Sequence, residues 1–224
     1  MRIQNICSLK KGLHKLGIIH TKNIFYNLTY PDILTHECHN KEGRVFQTKH
    51  GDTYGIDTGI FTGRSPKDKW IVNNRGTESS DHIWWGNVNQ PISSDIFDDL
   101  YKTSINHFNH MDKMYVFDGY CGASETSQKK VRFIHELAWQ HHFVSNMFIK
   151  AKPTIDDFDP DLTIINACSV VNDKWKEHGL HSDVAIAFNI EEQVAVILGT
   201  WYGGENKKGI FSLMNYWLPL QGTM

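Results

Sequence analysis

Two runs hold the residues whose types and spacing could do chemistry. Residues 199–211 read Gly-Thr-Trp-Tyr-Gly-Gly-Glu-Asn-Lys-Lys-Gly-Ile-Phe, and residues 57–70 read Asp-Thr-Gly-Ile-Phe-Thr-Gly-Arg-Ser-Pro-Lys-Asp-Lys-Trp. In the first, the Gly203-Gly204 pair accepts positive φ and lets a ligand come close to the backbone. Exposed amides and the side chains of Tyr202, Lys207 and Lys208 can then converge on one bound anion. On an extended chain the two lysines point to opposite faces, so one of them should face the ligand. A solvated glycine-rich hairpin with two surface lysines is the competing reading of this run taken alone. In the second run, Tyr54, Ile56, Thr58, Ile60 and Thr62 share one face of a strand that Gly63 and Pro66 end, which delivers Arg64 in a tight turn. A guanidinium held there matches a carboxylate or phosphate bidentately, while pairing with Asp57 or Asp68 would make it structural.

Positioning these groups falls to a chain in which strands outnumber helices. Val194, Val196 and Leu198 predict a strand up to Gly199, and residues 70–72, 114–117, 162–167 and 184–188 predict further strands, with Glu191-Glu192 linking 184–188 to the strand that runs up to Gly199 as a hairpin. Residues 23–30 and 44–48 read as extended segments, and residues 84–85 as a strand or buried turn. Ser8 caps a helix bearing Leu9, Leu13 and Leu16 and stopped by Gly17; Pro91 with Ser93 or Ser94 announces one bearing Phe97, Leu100, Tyr101 and Phe108. The longest helix is expected to begin at Ser127, with Val131, Ile134, Leu137, Ala138, Val144 and Phe148 on one broad face. The fold class is therefore α/β (α+β), a mixed β-sheet domain with a few packed helices.

With 224 residues and 40% hydrophobic content, the chain can build one substantial core. A net charge of -2 without a basic stripe argues against nucleic acid or an acidic membrane surface and leaves small anions as partners. Four scattered cysteines and no secretion signal point to reduced thiols in a cytoplasmic protein. The histidine clusters fall short of metal sites: residues 36–39 (His-Glu-Cys-His) lack a second half with zinc spacing, and His135-Glu136-Leu137-Ala138-Trp139 has tryptophan where a zincin needs histidine. The acidic run at residues 156–161 lacks the glycine and terminal glutamate of a calcium loop and reads as a solvated turn.

Together the two glycine-containing runs closely resemble the ATP-dependent phosphoenolpyruvate carboxykinases, which carry Thr-Gly-x-Phe-Thr-Gly-Arg-Ser-Pro-Lys-Asp-Lys and Gly-Thr-Trp-Tyr-Gly-Gly-Glu-x-Lys-Lys-Gly-x-Phe. The likeness continues through Asn146-Met147-Phe148-Ile149, Phe188-Asn189 and residues 214–220. It implies that residues 1–224 are that family's N-terminal, substrate-side domain, acting with a nucleotide-binding domain. The implied reaction converts oxaloacetate and ATP to phosphoenolpyruvate, ADP and carbon dioxide in gluconeogenesis, with manganese or magnesium. The resemblance also implies that Arg64 holds a substrate carboxylate, that Tyr202 orients substrate or carbon dioxide, and that Lys208 meets phosphoryl oxygens and the metal. Asn206 departs from the methionine common in the family.

The sequence contains no Gly-x-x-x-x-Gly-Lys-Ser/Thr phosphate loop and no dinucleotide glycine fingerprint. Residues 210–220 read as an apolar, strand-like run close to the end that further structure would normally cover. The expectation is a chain that binds neither ATP nor metal tightly and is inactive alone. The alternative is a residual dicarboxylate- or phosphate-binding or interaction module without catalysis.

Overall fold

The computed structural model describes residues 3–152 and 158–223, so Asp156 and Asp157 of the acidic run lie outside the described residues. In chain order the elements are α1 (Ile3–Lys15), β1 (Asn23–Tyr26), α2 (Tyr30–Asn40), β2 (Gly43–Thr48), β3 (Gly51–Ile56), β4 (Lys69–Val72), the single turn α3 (Glu78–Asp81), β5 (Gln90–Ile92) and α4 (Ser94–His110). Then follow β6 (Lys113–Cys121), β7 (Lys129–His135), α5 (Ala138–Met147), β8 (Ile149–Lys150), β9 (Leu162–Ala167), β10 (Ala185–Asn189), β11 (Val194–Leu198) and α6 (Gly204–Leu220).

Nine strands make one mixed sheet in the order β1-β6-β7-β9-β11-β10-β4-β5, with β8 on β6; β2 and β3 form a separate hairpin. The middle strands β9, β10 and β11 are buried at every residue because helices cover both faces of the sheet. Side-chain alternation divides β11 cleanly. Val194, Val196 and Leu198 join Leu9 and Leu13 of α1 and Phe97, Leu100 and Phe108 of α4 in one core, while Ala195 and Ile197 join Val144 of α5 and Ile210 and Leu213 of α6 in the other. The mixed α/β class expected from the sequence is what forms. Among the described residues no helix is long and apolar enough to cross a membrane.

Five local expectations are corrected. The helix expected from Ser127 is instead strand β7 up to His135, and α5 starts only at Ala138. The register explains this: Asp118 of β6 faces Arg132 of β7, and the buried pair closes through two hydrogen bonds of 2.7 Å, from Nε to Oδ1 and from Nη2 to Oδ2. Val131 and Ile134 fit a helical face equally well on spacing, but they fall on opposite faces of the sheet. Residues 210–220 are helix, not strand; Gly209 has its open side against the Phe188 ring, so α6 lies close on the sheet. The extended segment expected over 23–30 stops at Tyr26, and Thr29 caps α2 with Pro31 in its first turn. Strand β3 ends at Ile56, so Thr58, Ile60 and Thr62 belong to the following loop, where Ile60 is 89% exposed. Residues 84–85 form no strand: Trp84 is exposed, and Trp85 is tied by its indole N–H to Ser80 O.

Candidate active site

Arg64 sits in the loop between β3 and β4. Asp57 Oδ1 accepts the Gly59 N–H at 2.8 Å, and Gly59 adopts φ 59°, which starts the turn. The loop ends in a short 3₁₀ turn at Pro66–Asp68, which delivers the chain into β4. Neither candidate structural partner of Arg64 is used that way. Asp57 serves Gly59, and buried Asp68 accepts from Ser182 Oγ at 2.9 Å and lies 3.3 Å from His181 Nδ1. Arg64 is left exposed.

The second run breaks from β11 at Gly199, whose φ is 71°, and turns through residues 200–203 into α6. A Cβ on Gly203 would come 2.8 Å from the Trp139 ring, and one on Gly204 2.5 Å from the Tyr202 ring, so this tight entry requires both glycines. The lysines therefore leave a helix rather than an extended strand, and separate by about 100° rather than 180°. Lys207 points to solvent, while Lys208 lines a cleft, its Nζ 4.0 Å from the centroid of the Phe211 ring. One lysine of the pair faces the cleft, for a different geometric reason than strand alternation.

This cleft, of about 190 Å³, is lined by Arg64, Lys69, Glu205, Lys208 and Phe211 among others. The structure thus brings Arg64 and Lys208 together. Tyr202 is half-buried, with its ring packed on Gly204 and its N–H on Thr200 Oγ1, and it is not among the residues lining the cleft.

Two cleft residues were missed by sequence reasoning. Lys69, at the start of β4, donates to Asn89 Oδ1 at 2.8 Å; burial, and then the charge of Arg64, pull its pKa down. Glu205 is 5% exposed and accepts the Ser65 N–H at 2.6 Å; burial raises its pKa, opposed by that hydrogen bond and by Arg64. Both stand inside the quoted runs, where nothing in the residue pattern singles them out from their charged neighbours.

The other clusters have structural occupations. On α2, Glu37 turns inward to His142 Nδ1 at 2.8 Å, while His36 Nδ1 lies 3.0 Å from Tyr115 Oη. Asp161 accepts the Lys130 N–H. Among the described residues there is no group of three or more His, Cys, Asp or Glu side chains that could hold a metal ion.

A helix–sheet–helix domain with one guanidinium and two ammonium groups lining a small cleft falls in the class of α/β domains with a cationic pocket. The family model for phosphoenolpyruvate carboxykinase matches residues 22–224, and the chain belongs to that family. It is 49% identical over 215 residues to the phosphoenolpyruvate carboxykinase (ATP) of Campylobacter lari, covering 96% of this chain and 40% of that protein. Identity is 49% with the protein of the same description from Sulfurimonas denitrificans and 46% with that from Leptospira biflexa, and the chain covers 39% of each. It thus spans about two fifths of the length of these relatives.

Proposed function

We propose that this chain is the substrate-side, N-terminal domain of an ATP-dependent phosphoenolpyruvate carboxykinase, a cytoplasmic enzyme of gluconeogenesis that converts oxaloacetate and ATP to phosphoenolpyruvate, ADP and carbon dioxide. The observation that carries this reading is the meeting of Arg64 and Lys208 in one cleft from segments 144 positions apart in sequence. In the reaction, oxaloacetate loses a carboxylate as carbon dioxide, and the bonding pair left behind forms an enolate whose oxygen takes the γ-phosphoryl group of ATP. Arg64 would hold the remaining carboxylate bidentately and fix the plane of the substrate. Lys208 would stabilise charge on the enolate and phosphoryl oxygens, while Tyr202, which does not line the cleft, is given no contact with the substrate there.

Relatives of this kind use manganese or magnesium, which would neutralise phosphoryl charge. The residues described here do not fit a complete metal site: the cleft is rich in cations, and its carboxylate, Glu205, is engaged by the Ser65 amide. Nucleotide binding is assigned to the part of the relatives' length that this chain does not span.

Calorimetry with oxalate, a two-carbon dicarboxylate smaller than four-carbon oxaloacetate, tests the cleft. Saturable binding is expected, weakened at least about tenfold by Arg64→Ala, since a charge-assisted bidentate contact contributes roughly 1.5–3 kcal/mol. Equal binding by the variant would remove Arg64 from the role. A second reading is a dicarboxylate- or phosphate-binding module without catalysis, supported by the cations that the cleft already holds. ATP-dependent release of carbon dioxide from oxaloacetate by the purified chain is expected to be absent; its detection would eliminate the module reading.

A further inference from the structure

We propose that Glu205 is the positioning residue of the cleft: its buried carboxylate ties the Arg64 turn to the first turn of α6 and so sets the spacing between Arg64 and Lys208 that a small dicarboxylate must bridge. The inference rests on the reading of this cleft as the substrate-anion site and names what holds its two halves in register. The Ser65 N–H donates to Glu205 Oε1 at 2.6 Å across 140 positions of sequence, and Glu205 is 5% exposed. Ser65 directly follows Arg64, so the tether fixes the backbone that aims the guanidinium. Glu205 and Lys208 are three residues apart on one helix and line the same cleft, so the same carboxylate is rigidly connected to the ammonium.

Among the described residues this is the one hydrogen bond between residues 57–65 and α6. The loop's other hydrogen bonds do not reach α6: Gly59 N–H on Asp57, Phe61 N–H on Thr58 O and Asp68 N–H on Ser65 O are local, and Asp57 N–H on Glu42 O ties its start to the residue before β2. Without Glu205 the Ser65 amide loses its acceptor, and among the described residues no other hydrogen bond joins the two segments.

The carboxylate does a second, separable thing. It places one negative charge among Arg64, Lys69 and Lys208, which lowers the positive potential that an anion would meet. Tether and charge therefore act on ligand affinity with opposite signs. An acidic residue in the first turn of a helix is also a common stabiliser of the helix end, and that role alone would not separate the two effects.

The test is oxalate calorimetry on the 224-residue chain with Glu205→Gln, Glu205→Ala and Glu205→Asp, with thermal melting of each. Gln keeps an acceptor oxygen at the same reach and removes the charge, so it should bind oxalate at least as tightly as the wild type. Asp keeps the charge but falls one methylene short, so it should bind about tenfold more weakly than the wild type; Ala loses acceptor and charge together, so it should bind more weakly than Gln and less weakly than Asp, each melting within about 5 °C of the wild type. Should Ala fail to fold, the Asp and Gln pair decides. Wild-type affinity in Asp, affinity in Ala equal to that in Gln, or a loss in Gln equal to that in Asp overturns the tether while leaving the anion site standing. Failure of the wild type to bind oxalate overturns the anion site and the tether with it.

Discussion

Arg132 is a cation set inside the sheet, 3% exposed, with its guanidinium closed on Asp118 and a further N–H donated to Phe158 O at 3.2 Å. Desolvating two charges roughly cancels their attraction, but stranding one of them does not. Arg132→Met should therefore destabilise the fold by about 3–5 kcal/mol, and the double variant Arg132→Met/Asp118→Leu should recover much of that loss, both read by urea denaturation. The same residue shows what a sequence hides. A lone arginine among Val131, Phe133 and Ile134 fits the polar face of a helix as well as a buried strand, and only its partner fourteen residues earlier decides. Arg64 and Lys208 were legible because each stands in a long and specific run with glycines that need a reason. Glu205 and Lys69 were not, since their significance depends on contacts with Ser65 and Asn89 that no local pattern announces.

Element α5 begins without a capping side chain of its own, because Leu137 occupies the cap position. Its first amides are satisfied from a distance: Glu42 Oε1 accepts Ala138 N–H at 3.0 Å and Oε2 accepts Trp139 N–H at 2.8 Å. Glu42→Ala should destabilise the protein by about 1–2 kcal/mol and speed amide exchange first at Ala138 and Trp139, as seen by hydrogen-exchange mass spectrometry or NMR. A start signal lying 96 residues upstream is invisible to a local reading, which accounts for the misplaced helix there. Other elements announced themselves. Ser93 accepts from Ile96 N–H and caps α4 where the Pro-Ile-Ser-Ser run placed it, and the β10 to β11 hairpin turns at Glu191-Glu192. Helix α2 was missed although Thr29-Tyr30-Pro31-Asp32 carried a usable signal. Proline there was read as a stop, whereas it sits at the start of the helix, where its missing N–H has no intrahelical partner to lose. For α6, Asn206, Gly209, Ile210 and Leu213 follow the helical period, but the apolar density of the run masked it.

Taken whole, the molecule buries titratable groups that set its response to pH. His135, at the end of β7, is fully buried, and burial lowers its pKa from 6.5 to about 3, only partly offset by Asn206. Between those values the unfolded chain binds a proton that the native state refuses. The stability His135 contributes is therefore complete above about pH 6.5 and is lost as pH falls toward 3. One such group gives a slope of about 1.4 kcal/mol per pH unit within that window, and His135→Gln should flatten the melting temperature against pH by that share. The overall class was readable because the central strands β9, β10 and β11 are apolar runs. The strand order was not, since it follows from pairings such as β4 beside β10, which join positions more than a hundred residues apart. That pairing has a consequence for biosynthesis. A ribosome delivers the Arg64 turn early, yet the strand that docks beside it and the helix that completes its cleft emerge only in the final fifth of the chain. During translation the early half must therefore wait with the β4 edge unpaired, and this is the interval in which a chaperone or a stalled ribosome would have the greatest influence on whether the cleft ever closes.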